Sequence, residues 1–229
     1  MKTIVTVLWL VCYLLAGCSP IQMVPEEYQL DVPLLSQYPE LPTGCEVTAA
    51  TMVLQYYGED VQPTEVAANW LECQCPYMKN GTLYGPDPHQ VFVGNPFESN
   101  SYGCYAPVIA QMIQDHSRLC RAQLVSVTDL ETLCDTYICK DKPVLIWVTM
   151  EMKASQEGNR WQLKNGETFT WIAGEHCVVL TGYDATYYYL NDPMTGQLEK
   201  YPKALVQRRY EELGCQAVAI EDQKKTSRS

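Results

Sequence analysis

The sequence predicts an α+β fold with a helix packed against an antiparallel sheet, and three stretches carry this prediction. Residues 45–57 are rich in Ala, Met and Leu, lack proline and stop at Gly58, which predicts a buried helix. Residues 143–150 form a continuous apolar run, typical of a central strand covered on both faces. Two β-rich runs within 176–193 flank Asp184-Ala185-Thr186, which indicates an antiparallel hairpin.

The other elements follow from the same patterns. An edge strand is expected over 28–35, where Pro33 keeps the segment away from the sheet centre. Residues 71–103 hold so many Gly and Pro that we expect a long ordered insertion forming a wall or lid of a cleft, and residues 151–175 are expected to be loop-rich. Helices are expected over 63–70, 105–119, 128–137 with a capping box at Thr128, and 203–213, and short strands over 123–127 and 216–220.

Length and composition fit one globular domain. The chain has 229 residues, of which 47% are hydrophobic and 19% charged, enough apolar material for a proper core. The formal net charge is -11. Such an acidic surface disfavours nucleic acid and anionic lipid headgroups as partners.

The N-terminus predicts export and lipid attachment. Lys2 precedes a short apolar run that suits the h-region of a signal peptide. The run ends in Leu15-Ala16-Gly17-Cys18, which resembles the bacterial lipobox. That resemblance implies cleavage before Cys18, a lipid on its sulfur and a protein held at the outer face of the cytoplasmic membrane. We therefore divide the chain into a signal peptide (1–17), a tether (18–28), a folded domain (29–221) and a charged tail (222–229).

The eleven cysteines leave several assignments open. Setting aside Cys12 in the signal peptide, Cys18 and Cys45 leaves eight, which could form up to four disulfides in an exported protein, with no pairing favoured. Cys73 and Cys75 are too close for a thioredoxin-type motif, and no four-ligand zinc set is complete. No metal or cofactor is expected.

Cys45 is the candidate nucleophile because it lies in the first turn of the predicted helix. Unpaired backbone N–H groups and the positive end of the helix dipole favour a thiolate there. The following Glu46 would oppose the thiolate if its carboxylate faced the sulfur, although it also complements the helix dipole.

His176 is the candidate base among three histidines. His89 lies in the Pro-rich segment and His116 at the polar end of a helix, so both are expected on the surface. His176 begins a hairpin strand, and a turn centred on Ala185 places Asp192 diagonally opposite it. Asp192 would hold the imidazole tautomer and stabilise imidazolium. Asn191 points to the other face of the strand, so we prefer Asp192.

Acyl transfer also requires donors for an oxyanion. The backbone N–H of Cys45 is one candidate, and the side-chain amide of Gln37, eight residues upstream, is the second.

These residues resemble those of papain-type cysteine peptidases related to the bacteriocin-processing, double-glycine leader peptidases. The resemblance rests on Gln37, on Thr-Gly-Cys-Glu-Val-Thr from Thr43, on His-Cys-Val-Val-Leu-Thr-Gly-Tyr-Asp from His176 and on Asn-Asp-Pro-Met-Thr-Gly from Asn191. It implies a papain-like fold, Cys45 as nucleophile, His176 as base, Asp192 as orienting acid and Gln37 as oxyanion donor.

Three functional hypotheses follow. The first is a membrane-tethered extracytoplasmic cysteine peptidase acting on a peptide or protein substrate through an acyl-thioester. The second is the same machinery used as an amidase or acyltransferase on cell-wall peptide. The third is a non-catalytic surface-binding lipoprotein with a vestigial triad, whose aromatic residues in the 77–102 segment contact a partner.

Overall fold

The structure is a computed structural model, and it describes residues 24–125 and 129–223. The predicted signal peptide, Cys18, most of the tether, Thr128 and most of the tail lie outside these residues. Within them, no helix is both long enough and apolar enough to cross a lipid bilayer.

An antiparallel main sheet carries the core, as predicted. Its seven strands are β1 (Tyr28–Gln29), β6 (Cys120–Val125), β7 (Val144–Thr149), β10 (Glu175–Tyr183), β11 (Tyr187–Asp192), β12 (Gln197–Pro202) and β13 (Ala217–Asp222). They run in the order β12-β11-β10-β7-β13-β6, with β1 paired to the far end of β10. Every residue of β7 is buried, because β10 and β13 flank it and the helix Lys203–Glu212 packs on it.

The described residues form five α-helices, and three of them contact the main sheet. The five helices are α1 (Cys45–Tyr56), α2 (Pro63–Asn69), α3 (Ala106–His116), α4 (Leu130–Thr136) and α5 (Lys203–Glu212). The first ten residues of α1 are all buried, and its main partner in the sheet is β10. Gly58 has a φ of +88°, the left-handed conformation expected after this helix. The nucleophile helix therefore lies on the strand that carries the candidate base.

A second, smaller sheet differs from the predicted loops. Short strands β3 (Tyr77–Lys79) and β4 (Thr82–Tyr84) join β8 (Gln156–Gln162) and β9 (Thr168–Ala173) in the order β3-β4-β8-β9, and β2 (Cys73–Gln74) pairs with β5 (Phe92–Val93). Trp161 and Trp171 are buried in this region, where Tyr102 contacts both rings. The packed aromatic side chains therefore stabilise this second sheet, which the Gly, Pro and polar residues of these segments had not predicted.

Several boundaries also differ from expectation. β1 covers two residues instead of eight, because only Tyr28 and Gln29 pair in register with β10 before the chain turns away after the Leu30 N–H bond to the Thr181 oxygen. β12 was not predicted. Helix α4 begins after Asp129, whose carboxylate accepts hydrogen bonds from the backbone N–H groups of Glu131 (3.3 Å) and Thr132 (3.1 Å) and thus acts as the cap expected of Thr128.

The nine cysteines within the described residues are all free. Cys104, Cys120, Cys134 and Cys177 are buried among apolar side chains of the core. The possible disulfides therefore do not form in this structure, and these thiols pack as small apolar groups.

Candidate active site

The N-terminus of α1 positions Cys45. Cys45 is the first residue of the helix and is 5% exposed. Gly44 precedes it and packs so closely on Leu41 that an added Cβ would lie 2.8 Å from the Leu41 Cβ. Only a glycine allows the chain to enter the helix at this distance, so the packing fixes where the sulfur emerges.

His176 and Asp192 form a buried pair on adjacent strands. His176 Nε2 and Asp192 Oδ1 are 2.7 Å apart, and the two side chains are 1% and 6% exposed. Burial opposes ionisation of Asp192, yet the hydrogen bond and charge of His176 lower its pKa below the ordinary value. The carboxylate is thus arranged to orient the imidazole and to stabilise its protonated form.

The hairpin register explains this contact. Val179 pairs with Asn191 and Leu180 with Leu190, as a turn centred on Ala185 requires. A bulge after Leu180 shifts the pairing by one residue nearer the turn. Asn191 donates instead to the backbone oxygen of Val32 at 2.9 Å, so it does not compete for His176.

The other histidines lie elsewhere. His89 has a 46% exposed side chain and contacts Asp87, while the exposed His116 stacks on Trp70. Both positions agree with the surface roles expected of them.

The Cys45 thiol meets β10 beside His176. Burial and the charge of Glu46 raise the pKa of the thiol well above the ordinary value, and the backbone N–H of Cys177, which hydrogen-bonds to the sulfur, opposes part of this rise. Within the described part of the chain, His176 Nδ1 is buried and has no hydrogen-bond partner. Because Nε2 is taken by Asp192, Nδ1 is the ring nitrogen left for proton exchange.

Gln37 is 3% exposed and held from both sides. Its side-chain nitrogen donates to the Pro42 oxygen at 3.0 Å, and its backbone N–H donates to the Pro193 oxygen at 2.8 Å. Pro193 directly follows Asp192, so this bond ties the Gln37 segment to the His176 hairpin. The bond to Pro42 uses one amide hydrogen, and the same nitrogen carries a second one.

Glu46 faces the nucleophile. The Cys45 thiol donates a hydrogen bond of 3.3 Å to Glu46 Oε2, and the backbone N–H of Cys104 donates to Glu46 Oε1 at 2.6 Å. Burial raises the pKa of Glu46 to about 7, and these donors limit the rise. The Cys45 thiol is therefore hydrogen-bonded to the Glu46 carboxylate in this structure.

Glu175 is a site residue that the sequence reasoning missed. It is 3% exposed and lies beside Glu46, with its pKa raised well above the ordinary value by burial and by the Glu46 charge. A signal was present, because an acidic residue begins a nine-residue strand that is otherwise almost wholly apolar and entirely buried.

The atoms of Cys45, Glu46 and Glu175 that could ligate a metal lie within 4.8 Å of one another. Both Glu46 oxygens already accept hydrogen bonds, and a metal bound there would engage the nucleophile itself. We interpret the group as two carboxyls and a thiol that share protons, and assign none of them to a metal.

The geometry of the site and the relatives of the chain indicate the same class of protein. A thiol at a helix N-terminus beside a His–Asp pair on an antiparallel sheet is the arrangement of papain-type cysteine peptidases. Residues 29–218 match the Peptidase_C39 like family, and the chain belongs to that family.

Two relatives extend this comparison. The chain is 32% identical over 196 residues to the uncharacterized protein YvpB of Bacillus subtilis (strain 168), covering 84% of this chain and 75% of YvpB. A crystal structure from Bacillus anthracis, described as a candidate C39-like peptidase, superposes with a TM-score of 0.75 at 29% identity, covering 86% of this chain and 98% of that one. The predicted papain-like α+β fold is thereby confirmed.

Proposed function

We propose that this protein is a cysteine peptidase that hydrolyses peptide bonds through Cys45, His176 and Asp192. The observation that carries the proposal is the buried 2.7 Å contact between His176 Nε2 and Asp192, which leaves Nδ1 without a protein partner among the described residues, next to the helix that begins at Cys45. Membership of the Peptidase_C39 like family supports the same reaction class.

The residues fit an acyl-transfer sequence. His176 Nδ1 takes the thiol proton, and Cys45 Sγ attacks the peptide carbonyl carbon. The backbone N–H of Cys45 and the second amide hydrogen of Gln37 receive the negative oxygen. Imidazolium then gives its proton to the leaving amine, and water hydrolyses the resulting acyl-thioester with His176 again as base.

Site-directed alkylation tests the nucleophile without knowledge of the substrate. Iodoacetamide adducts are mapped by mass spectrometry on the wild-type protein, on His176→Ala and on His116→Ala, which removes an exposed histidine as a matched control. We expect preferential labelling of Cys45 that His176→Ala abolishes and His116→Ala preserves. Equal labelling of all exposed thiols, or labelling insensitive to His176, contradicts the proposal.

Substrate profiling separates the reaction classes that this site could serve. Hydrolysis of a peptide library identifies a peptidase, whereas release of products only from purified peptidoglycan identifies a cell-wall amidase or transferase. The free Cys45 thiol agrees with the catalytic alternatives, because a nucleophile locked in a disulfide would have favoured a binding protein.

We also propose that the mature protein is tethered outside the cytoplasmic membrane through a lipid on Cys18. The support is the sequence pattern that ends in Leu15-Ala16-Gly17-Cys18. Mass spectrometry of the mature N-terminus checks this, since the Cys18→Ala variant should lose both the lipid mass and membrane association. A mature wild-type protein that begins elsewhere and carries no lipid contradicts it.

A further inference from the structure

Two buried carboxyl groups meet beneath the nucleophile. Glu46 is 0% and Glu175 3% exposed, and both pack against the Cα of Gly103. A Cβ at Gly103 would lie 2.5 Å from Glu46 Oε1 and 3.0 Å from Glu175 Oε2, and its φ of +147° also favours glycine. The fold thus holds a glycine where any other residue would push the two carboxyls away from Cys45.

The two carboxyls have different partners. Glu46 accepts one hydrogen bond from the Cys104 N–H and one from the Cys45 thiol, at 2.6 and 3.3 Å. The Glu175 carboxyl, by contrast, is hydrogen-bonded to the Trp147 side chain, but its Oε1 is buried and without a partner among the residues that the structure describes. Donors stabilise the charged form of a carboxyl, and burial of an oxygen that has no donor favours the neutral form. The proton of the pair therefore resides on Glu175, and the negative charge on Glu46.

We propose that Glu46, kept charged by the neutral Glu175 beside it, restrains the nucleophile by holding Cys45 as a thiol in the resting enzyme. This inference rests on the proposed function, because it concerns the regulation of the same site. Transfer of the thiol proton to His176 would leave a thiolate in contact with a carboxylate. Once Glu46 is neutral, the same proton passes from Cys45 Sγ to His176 Nδ1 without that repulsion.

Other titratable groups also face this pair. His176 is the one member of this set that can carry a positive charge, and burial and the Glu46 charge raise the pKa values of the thiols, so that these stay neutral. The groups from the neighbouring segments that interact with Glu46 or Glu175 are Cys73, Cys104, Tyr105, His176 and Cys177.

The restraint is tested by the rate at which iodoacetamide modifies Cys45, followed by mass spectrometry in buffers that contain a metal chelator. Glu46→Gln keeps an acceptor for Cys104 but removes the charge. We expect it to react at least about tenfold faster than wild type at pH 8, since each unit by which the thiol pKa falls is a factor of ten. Glu40→Gln, which removes the charge of an exposed carboxyl outside this pair, is the matched control and should react at the wild-type rate at pH 8.

The pH dependence distinguishes a charge effect from a packing effect. Burial raises the pKa of Glu46 to about 7, so the wild-type Glu46 becomes neutral below that pH and resembles glutamine. The ratio of the Glu46→Gln rate to the wild-type rate should therefore approach one below pH 6 and rise through pH 7. A structural disturbance would change the rate at every pH.

Two results overturn the inference. A folded Glu46→Gln protein whose Cys45 reacts no faster than wild type at pH 8 shows that the charge does not restrain the thiol. If that variant fails to fold, the wild-type rate profile decides, because the absence of an inflection near pH 7 excludes the restraint. Neither measurement needs a substrate, so failure of the peptidase proposal would appear separately, as loss of cleavage or as labelling insensitive to His176.

Discussion

Asp192→Asn isolates the charge in the His176–Asp192 pair. Asparagine keeps an acceptor oxygen for His176 Nε2 and for the Met194 N–H, which donates to Asp192 Oδ1 at 2.7 Å. The variant thus preserves the position of the imidazole but removes the negative charge that stabilises its protonated form. With the two side chains only 1% and 6% exposed, solvent screens little of this effect.

The expected magnitude follows from the contact. A hydrogen bond to a charged partner contributes about 1.5–3 kcal/mol. Since about 1.4 kcal/mol corresponds to tenfold, Asp192→Asn should slow alkylation of Cys45 about 10- to 150-fold. Asp192→Ala should be slower still and should cost about 1–3 kcal/mol of stability, because the partly buried Met194 N–H then lacks its acceptor.

The assay measures the second-order rate of iodoacetamide modification at Cys45 at constant pH, with urea unfolding in parallel. Asp184→Asn, at the turn of the same hairpin, is the control and should leave the Cys45 rate unchanged. The reasoning is wrong if folded Asp192→Asn protein reacts as fast as wild type, because the carboxylate would then contribute nothing to the reacting state.

Three further predictions concern stability. Gly103→Ala should destabilise the fold by at least about 1–2 kcal/mol in urea unfolding, since a positive φ and the close Glu46 and Glu175 oxygens leave no room for a Cβ; an unchanged midpoint contradicts this. Trp161→Ala should cost about 3–5 kcal/mol, because the ring is 1% exposed and its indole N–H donates to the Pro86 oxygen at 2.8 Å; a loss below 1 kcal/mol would show that the second sheet contributes little. Burial raises the Glu46 pKa from 4.5 to about 7, so the folded state binds the Glu46 proton more tightly than the unfolded state does. The contribution of Glu46 to the free energy of unfolding is therefore full below pH 4.5 and is lost as the pH rises to about 7. Glu46→Gln should therefore gain about 3 kcal/mol over wild type at pH 8 and nothing at pH 4; parallel pH–stability curves for the two proteins would refute it.

The contact between His176 and Asp192 could be predicted from the sequence because a hairpin register is a local property. Side chains alternate along each strand, so one turn position decides which residues meet across it. The bulge after Leu180 lies between the turn and the pair, yet the register beyond it matches the prediction. Local patterns likewise predicted α1 and β7, whose apolar residues are continuous.

The second sheet and the carboxyl pair depend on contacts between distant segments. β4 pairs with β8 through Tyr84 and Gln162, far apart in the chain, and neither segment alone has the apolar alternation of a strand. Glu46 and Glu175 come together only when α1 packs on β10. The charge of Glu46 was visible in the sequence, but its neutral neighbour was not.

Strand β10 runs from the candidate active site to the place where the chain enters the fold. The chain enters the fold at the Tyr183 end, where Tyr28 pairs with Tyr183 and the Tyr183 hydroxyl donates to the Pro25 oxygen at 3.0 Å. Glu175 and His176 lie at the opposite end, and at about 3.3 Å per residue the strand spans about 26 Å between them. If the proposed anchor at Cys18 holds the Tyr183 end near the membrane, we expect this distance to keep Cys45 away from the lipid, so that its substrates would be chains outside the bilayer.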